Sequence, residues 1–199
     1  MPCLTRLAFE GNFLADRVDA LLLFECVGVG NREVLVHEHT VVQMLDSGHG
    51  IENKVFSGIR ISTRPDAIDE EVLLLLKKYG VTAIELGAQS MDEGVLSANH
   101  RGHTADDVRK ASKLIKDYGF ELGLQMMTGL PGDNDEKAIN TANKIIDLNP
   151  DFVRIYPTII LRGTELADMY LNNVYQPLSL AEAVDLALLA WKRFQAEGI

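Results

Sequence analysis

The sequence predicts an α/β protein whose strands run parallel, and three observations carry that prediction. From Gly58 onward, short apolar runs of β type alternate with longer stretches whose apolar residues recur at helical spacing. A glycine or an Asn-Pro pair closes three of the helical stretches. Four apolar runs end in small and polar residues: Gly58–Asp66, Ala83–Ser90, Leu122–Gly132 and Val153–Leu166. Because parallel strands carry sites at their carboxyl ends, we expect these four tails to converge on one functional rim.

Strands and helices follow one another in order along the chain. The predicted strands are Ile59–Ser62, Val81–Leu86, Glu121–Met127 and Phe152–Tyr156. The predicted helices are Asp69–Tyr79, Thr104–Tyr118, Asp135–Leu148 and Ser179–Ala196. Thr104 with Asp107 and Ser179 with Glu182 have the three-residue spacing of a capping box. In the last helix, the residues predicted to face the core are Ala183, Ala187, Trp191 and Phe194.

The composition is that of a globular domain. With 47% hydrophobic and 24% charged residues among 199, the chain is long enough for one sizeable core. No run approaches the roughly 18–20 apolar residues that span a bilayer. No basic segment precedes an apolar one as in a secretory signal, so we expect a cytoplasmic protein with reduced cysteines.

The charged residues give two interpretations of the strand ends. The formal net charge is −10, which argues mildly against a phosphate-binding face. Five arginines nevertheless lie in or beside the strand-end segments: Arg60, Arg64, Arg101, Arg154 and Arg162. Such a rim would attract an anionic substrate or cofactor. Alternatively, the arginines pair with some of the 29 carboxylates.

Residues 1–57 match the βα rhythm poorly and are treated as an N-terminal part, with residues 58–199 as the core. The N-terminal part is expected to supply one strand, at Arg6–Phe9, and a helix. His37-Glu38-His39 would place two imidazoles on one face of a strand, but no third ligand is apparent. A solvated strand face is therefore favoured, and we expect no metal ligands in this chain.

Five motifs lie at the strand ends: RISTRPD at 60–66, ELGAQS at 85–90, NHRGHT at 99–104, MMTGLPG at 126–132 and IYPTIILRGTEL at 155–166. With these motifs in this order and spacing, the chain from Gly58 to Ile199 resembles radical S-adenosylmethionine enzymes of the Elongator catalytic-subunit type. A looser resemblance links it to the oxygen-independent coproporphyrinogen III oxidases, which share the AQS-like and GLPG elements.

The resemblance implies a partial TIM-type barrel that lacks its first strands and holds S-adenosylmethionine across the strand ends. It also implies a [4Fe–4S] cluster that reductively cleaves S-adenosylmethionine to a 5′-deoxyadenosyl radical. Elongator-type enzymes use that radical with an acetyl-CoA-derived group to make 5-carboxymethyl-type uridines at the tRNA wobble position. For the parent enzyme, tRNA and acetyl-CoA are therefore the expected partners.

The cysteines depart from the family pattern. The family holds its cluster with Cys-x₃-Cys-x₂-Cys, whereas this chain has only Cys3 and Cys26. We therefore expect the cluster strand to be missing and this chain alone to be inactive. Arg6–Phe13 resembles the family's following strand, whose end here reads Phe9-Glu10-Gly11-Asn12-Phe13. The resemblance implies that Gly11 and Asn12 contact the methionine amino group. One glycine expected there is an asparagine.

The resemblance and the strand pattern together assign the candidate site residues. The cofactor-binding candidates are Gly11, Asn12, Ser62, Thr63, Arg64, Glu85, Gly87, Gln89, Met127 and Gly129. The substrate-binding candidates are Arg101, His103, Arg154 and Arg162, and Tyr156 is the one catalytic candidate. Period-two alternation places Glu85, Gly87 and Gln89 on one side of their strand.

Structural alternatives stand beside these assignments. Arg64 would belong to a turn stabilised by Pro65 and Asp66. The polar residues of ELGAQS would form an internal hydrogen-bond network. NHRGHT would be a loop capped by Thr104, and Met127 would be ordinary core.

Three functions remain open at this point. The first is a fragment of an Elongator-type radical enzyme. The second is a radical enzyme of the coproporphyrinogen III oxidase type, and the third is a non-catalytic ligand-binding domain on the same fold. Open barrel edges would also invite pairing with a second copy of the chain.

Overall fold

The computed structural model describes residues 23–28, 33–34 and 56–199, with side chains from Gly58 onward. The contacts between Cα atoms group the chain into two compact units. One comprises residues up to Gly87 together with Lys110–Leu122, and the other comprises Ala88–Arg109 together with Gly123–Ile199. The predicted division at residue 57 stays a prediction.

The first unit contains the strands β1 (Leu23–Gly28), β2 (Glu33–Val34) and β3 (Phe56–Thr63), and most of β4 (Val81–Gln89). β3 and β4 pair in parallel, whereas β1 pairs antiparallel with both β2 and β3. The helix α1 (Glu70–Lys78) connects β3 to β4. A carboxylate cap starts this helix, because Asp69 Oδ1 accepts a hydrogen bond from the Val72 N–H at 2.8 Å.

The second unit holds most of β5 (Glu121–Thr128) and all of β6 (Phe152–Pro157). These two strands pair in parallel. Its helices are α2 (Glu93–Ala98), the start of α3 (Ala105–Asp117), α4 (Asp135–Ile146), α5 (Glu165–Leu171) and α6 (Leu180–Ala196). Helix α6 packs on α4 and on β6. The buried side chains of this core include Leu124, Met126, Ala142, Ile145 and Phe194.

Both capping boxes predicted from the sequence are confirmed. The Thr104 N–H donates to Asp107 Oδ2 at 2.8 Å, and the Asp107 N–H donates to Thr104 Oγ1 at 3.1 Å. At α6 the same exchange joins Ser179 and Glu182. The hydrogen bonds from Ser179 lower the pKa of Glu182.

The prediction for the inward face of α6 is wrong at Trp191, whose side chain is 48% exposed. The buried stripe is instead Leu186, Ala190 and Phe194. This helix has apolar residues on two faces, so helical periodicity alone does not identify the one that meets the core.

The sequence also left several elements unassigned. Helices α2 and α5 were not predicted, and β4 continues to Gln89, beyond the predicted end at Leu86. The strand predicted at Arg6–Phe9 lies outside the described residues. Among the described residues, no helix is both long enough and apolar enough to cross a membrane.

Candidate functional site

In the first unit, the polar end of β3 meets a buried carboxylate of β4. Ser62 and Glu85 are register partners in the parallel pair, and Ser62 Oγ donates to Glu85 Oε2 at 3.5 Å. Glu85 is fully buried. An ionisable group is costly to bury unless its partners compensate. Glu85 lies in the middle of β4, beside the carboxyl end of β3, and this position agrees with a ligand-binding role and with an internal network.

The residues next to Ser62 have different surroundings. Thr63 is buried and pairs in register with Leu86, so alternation places it on the opposite face of the sheet from Ser62. Arg64 lies on the surface, where its guanidinium binds Asp66 through two hydrogen bonds of 2.9 and 2.7 Å. These bonds with Asp66 raise the pKa of Arg64. The structure therefore contains the turn between Arg64 and Asp66 that the structural alternative described.

In the second unit, β4 ends in a tight turn at Gln89. The Ser90 N–H donates to the Ala88 carbonyl at 2.7 Å, and the residue between them has φ 62°. This is a γ-turn of the strained, positive-φ type. Gln89, at its centre, is buried. Alternation therefore does not fix the side of Gln89, although it does place Gly87 with Glu85.

The NHRGHT loop ties the end of β4 to the GLPG turn. His103 is buried and its Nε2 lies 3.2 Å from the Ala88 carbonyl oxygen. Asn99 Nδ2 donates to the carbonyls of Val95, at 2.7 Å, and Pro131, at 2.9 Å. Arg101 is partly exposed in this loop. Thr104 caps α3, as the structural alternative for this motif anticipated.

The GLPG turn borders a cavity of about 390 Å³. Gly129 has φ 75°, its N–H donates to Asp133 Oδ2 at 3.2 Å, and its carbonyl accepts from Tyr175 Oη at 2.6 Å. Burial raises the pKa of both Asp133 and Tyr175. Neither was a candidate from sequence, because Asp133 follows the motif and Tyr175 lies in a loop far along the chain.

The strands β5 and β6 present a second row of polar groups. Met127 is the register partner of Tyr156, and Gln125 is the partner of Arg154. Arg154 Nη1 lies 3.5 Å from Tyr156 Oη. Gln125 was missed, although its position two residues before Met127 on the same face was a usable signal. Arg162 is exposed on the turn before α5.

Several predicted residues lie outside the described part of the chain. These are Gly11, Asn12, Cys3 and the His37-Glu38-His39 segment, and Cys26 is described only as backbone in β1. Among the side chains that the structure describes, no group of three or more His, Cys, Asp or Glu residues could hold a metal ion.

The chain belongs to the radical SAM superfamily, because the family model of that description matches residues 31–145, more than half of the chain. A second model, the Radical_SAM C-terminal domain, matches residues 150–199. The first match begins at residue 31, upstream of Gly58, the residue from which the sequence motifs indicated a resemblance.

The chain is similar to a tRNA uridine(34) acetyltransferase and to an Elongator complex protein. It is 36% identical over 129 residues to the tRNA uridine(34) acetyltransferase of Methanocaldococcus jannaschii, covering 63% of this chain and 24% of the relative. It is 37% identical over 133 residues to Elongator complex protein 3 of Saccharomyces cerevisiae, covering 65% and 24%. The chain thus spans about a quarter of the length of these relatives.

Two solved structures are similar. An N-terminally truncated Elp3 from Methanocaldococcus infernus is 35% identical with a TM-score of 0.63, covering 66% of this chain and 32% of that one. Coproporphyrinogen III oxidase from Escherichia coli is 16% identical with a TM-score of 0.62, covering 82% and 38%. The second likeness shows the fold alone. Together they confirm the predicted fold class, an α/β partial barrel of the radical SAM type.

Proposed function

We propose that this chain is the S-adenosylmethionine-binding part of an Elongator-type enzyme whose parent modifies the wobble uridine of tRNA. The observation that carries the proposal is the identity of 36–37% to a tRNA uridine(34) acetyltransferase and to Elongator complex protein 3. The likeness to coproporphyrinogen III oxidase, at 16% identity, supports a shared fold and no more. The parent would take its transferred group from acetyl-CoA and would act in the cytoplasm.

The residues at the strand ends suit S-adenosylmethionine. A fully buried carboxylate, Glu85, lies beside the Ser62 hydroxyl and suits ribose hydroxyls or an amino group. Within the second unit, the buried Gln89 and the GLPG cavity offer polar and shaped surface of their own. When bound and cleaved reductively, S-adenosylmethionine supplies a carbon-centred radical for hydrogen abstraction.

The remaining assignments follow from the same proposal. Ser62, Glu85, Gly87 and Gln89 would hold the cofactor. Thr63, Arg64, Met127 and Gly129 would shape or support its site, with Gly11 and Asn12 toward its methionine part. Arg101, Arg154 and Arg162 would face the anionic substrate. Tyr156, with its hydroxyl beside Arg154, would lie near the reacting position.

The [4Fe–4S] cluster does not fit this chain. The family's cluster is held by three cysteine thiolates, whereas this sequence has two cysteines, Cys3 and Cys26. No reaction step is therefore assigned to a cluster here. We expect that anaerobic reconstitution with iron and sulfide leaves the chain without a stoichiometric four-iron cluster, measured by iron content and absorbance. A stable cluster of that stoichiometry would contradict the assignment.

A chimera tests the proposed function. Residues 58–199 would replace the matching segment of the M. jannaschii relative, so that the relative supplies the cluster loop and its other domains. We expect the chimera to form the modified wobble uridine, measured by mass spectrometry of digested tRNA. A chimera that is folded, cluster-loaded and unable to modify tRNA would overturn the proposal. The same chimera with Glu85→Gln is expected to lose the activity.

We further propose self-association through the face formed by β6 and α6. Among the described residues, β6 pairs only with β5, which leaves one edge open. A cavity of about 630 Å³ adjoins it, with an almost wholly apolar lining from β6, the following loop and α6. Its exposed members include Leu180, Val184 and Leu188. An apolar face of this kind is typical of an interaction surface.

A further inference from the structure

The Ala88 carbonyl at the end of β4 accepts two hydrogen bonds. One comes from the Ser90 N–H at 2.7 Å and closes the γ-turn around Gln89. The other comes from His103 Nε2 at 3.2 Å. A carbonyl oxygen only accepts, so Nε2 carries the hydrogen and His103 is the donor. Both bonds act on the peptide that precedes Gln89.

Gln89 has a conformation that ordinary residues avoid. Its φ of 62° lies in the left-handed region, and it is neither glycine nor one of the residues that adopt this region readily. Such strain persists only where the surroundings enforce it, and it concentrates at functional sites. The residue is 8% exposed, so its amide lies in an enclosed place.

The chain after Gln89 is clamped from the other direction. Thr141 Oγ1 on α4 lies 3.2 Å from Ser90 Oγ and accepts the Met91 N–H at 3.1 Å. Lys144 Nζ, one turn further along α4, donates to the Met91 carbonyl at 2.9 Å. With His103 before the turn and Thr141 after it, Gln89 is held by fixed groups on both sides.

His103 itself is unsuited to touching a substrate. It is 5% exposed, its Nε2 is engaged by Ala88, and its Nδ1 is enclosed with no hydrogen-bond partner among the residues that the structure describes. The motif that suggested substrate binding therefore contains a buried donor directed at the strand backbone. This differs from the role that the sequence assigned to His103.

We propose that His103 is a positioning residue whose hydrogen bond to the Ala88 carbonyl sets the γ-turn that presents the Gln89 amide to S-adenosylmethionine. The proposal rests on the proposed function of the strand ends. Its residues all belong to the second unit. The conformation of the γ-turn would then depend on the N–H that His103 donates, and not on a positive charge on its imidazole.

The test compares two replacements of His103. His103→Leu removes the donor and keeps an apolar body, whereas His103→Gln keeps an N–H on a side chain of similar reach. We expect the Ser90 amide to exchange with solvent about tenfold faster in His103→Leu and near the original rate in His103→Gln, measured by NMR. His100→Asn is the control, because the His100 side chain is 76% exposed in the same loop.

A double-mutant cycle with Gln89→Ala gives the second measurement, namely the dissociation constant for S-adenosylmethionine. Alone, each of Gln89→Ala and His103→Leu should weaken binding about tenfold, and together they should weaken it no further. Additive losses would show that His103 and Gln89 act independently on binding, and they would overturn the proposal. So would unchanged binding and unchanged Ser90 exchange in His103→Leu. If the original chain does not bind at all, the proposed function fails, while the exchange measurement still decides the role of His103 in the turn.

Discussion

Gly129 combines two demands that no other residue type meets. Its φ is 75°, and a Cβ placed there would lie 2.9 Å from Leu178 Cδ1. Its carbonyl also receives the Tyr175 hydroxyl, so movement of this residue would disturb the cavity wall. The glycine of the GLPG motif is thus required by the backbone and by close packing together.

We expect Gly129→Ala to lower the free energy of unfolding by roughly 2–3 kcal/mol, the sum of a left-handed alanine and an overpacked contact. Gly163→Ala is the matched control, since Gly163 has φ 77° with nothing within 4 Å of the added carbon. It should lose only the conformational part, roughly 1–2 kcal/mol. Urea unfolding measures both, and equal losses would show that Leu178 relaxes without penalty.

Single residues of the site were predictable where strand alternation holds. Ser62, Glu85 and Gly87 follow from the pattern because β3 and β4 are regular at those positions. The pattern fails at Gln89, where the backbone turns left-handed, and it gives no information on Tyr175, which reaches the site from a loop. His103 was found by its motif, but its burial and its acceptor are tertiary facts.

Among the elements, α2 is short and depends on its cap. Asp92 Oδ1 accepts the Val95 N–H at 3.0 Å, and this bond, opposed in part by burial, lowers the pKa of Asp92 from its ordinary value of 3.8. A carboxyl with a lowered folded-state pKa stabilises the fold above its unfolded-state pKa. That contribution is lost as the pH falls through the lowered value.

We expect Asp92→Ala to lower the free energy of unfolding by about 1 kcal/mol near neutral pH. Asp92→Asn keeps a capping oxygen and should lose only a few tenths of that amount, but it should lack the loss of stability below pH ~4 that Asp92 adds. Unfolding followed at several pH values separates the two. Identical pH profiles for the original chain and Asp92→Asn would contradict the capping account.

Long elements with clear signals were predicted well, and short ones were not. The helices α1, α3, α4 and α6 were found because capping residues and periodicity agree. Helices α2 and α5 span six and seven residues, too few for a periodic pattern. The inward face of α6 was misassigned because both of its faces are apolar, and only packing on α4 and β6 distinguishes them.

On the scale of the whole molecule, the apolar face of α6 remains exposed. Trp191, the single tryptophan of the chain, is 48% exposed there and reports on this face directly. If the β6–α6 face pairs with a second copy, the Trp191 side chain becomes less exposed to solvent as the protein concentration rises. A change in association should therefore be visible in fluorescence.

We expect the Trp191 emission to shift to shorter wavelength as the protein concentration rises, in parallel with the mass measured by light scattering. Leu188→Lys, which places a charge on the same face, should abolish both changes. Leu74→Lys is the control, because Leu74 is an exposed leucine of α1, a helix that contributes nothing to the β6–α6 face. A monomer with constant emission at every soluble concentration would contradict self-association.

A calorimetric titration tests most directly whether the buried Glu85, beside the end of β3, contributes to binding of S-adenosylmethionine. The original chain should bind with a dissociation constant of about 1 mM or tighter. Glu85→Gln should bind about tenfold more weakly, because it loses a charge-assisted hydrogen bond. Glu121→Gln, at an exposed position of β5, should bind like the original chain. No binding by the original chain, or equal binding by Glu85→Gln, would contradict the claim.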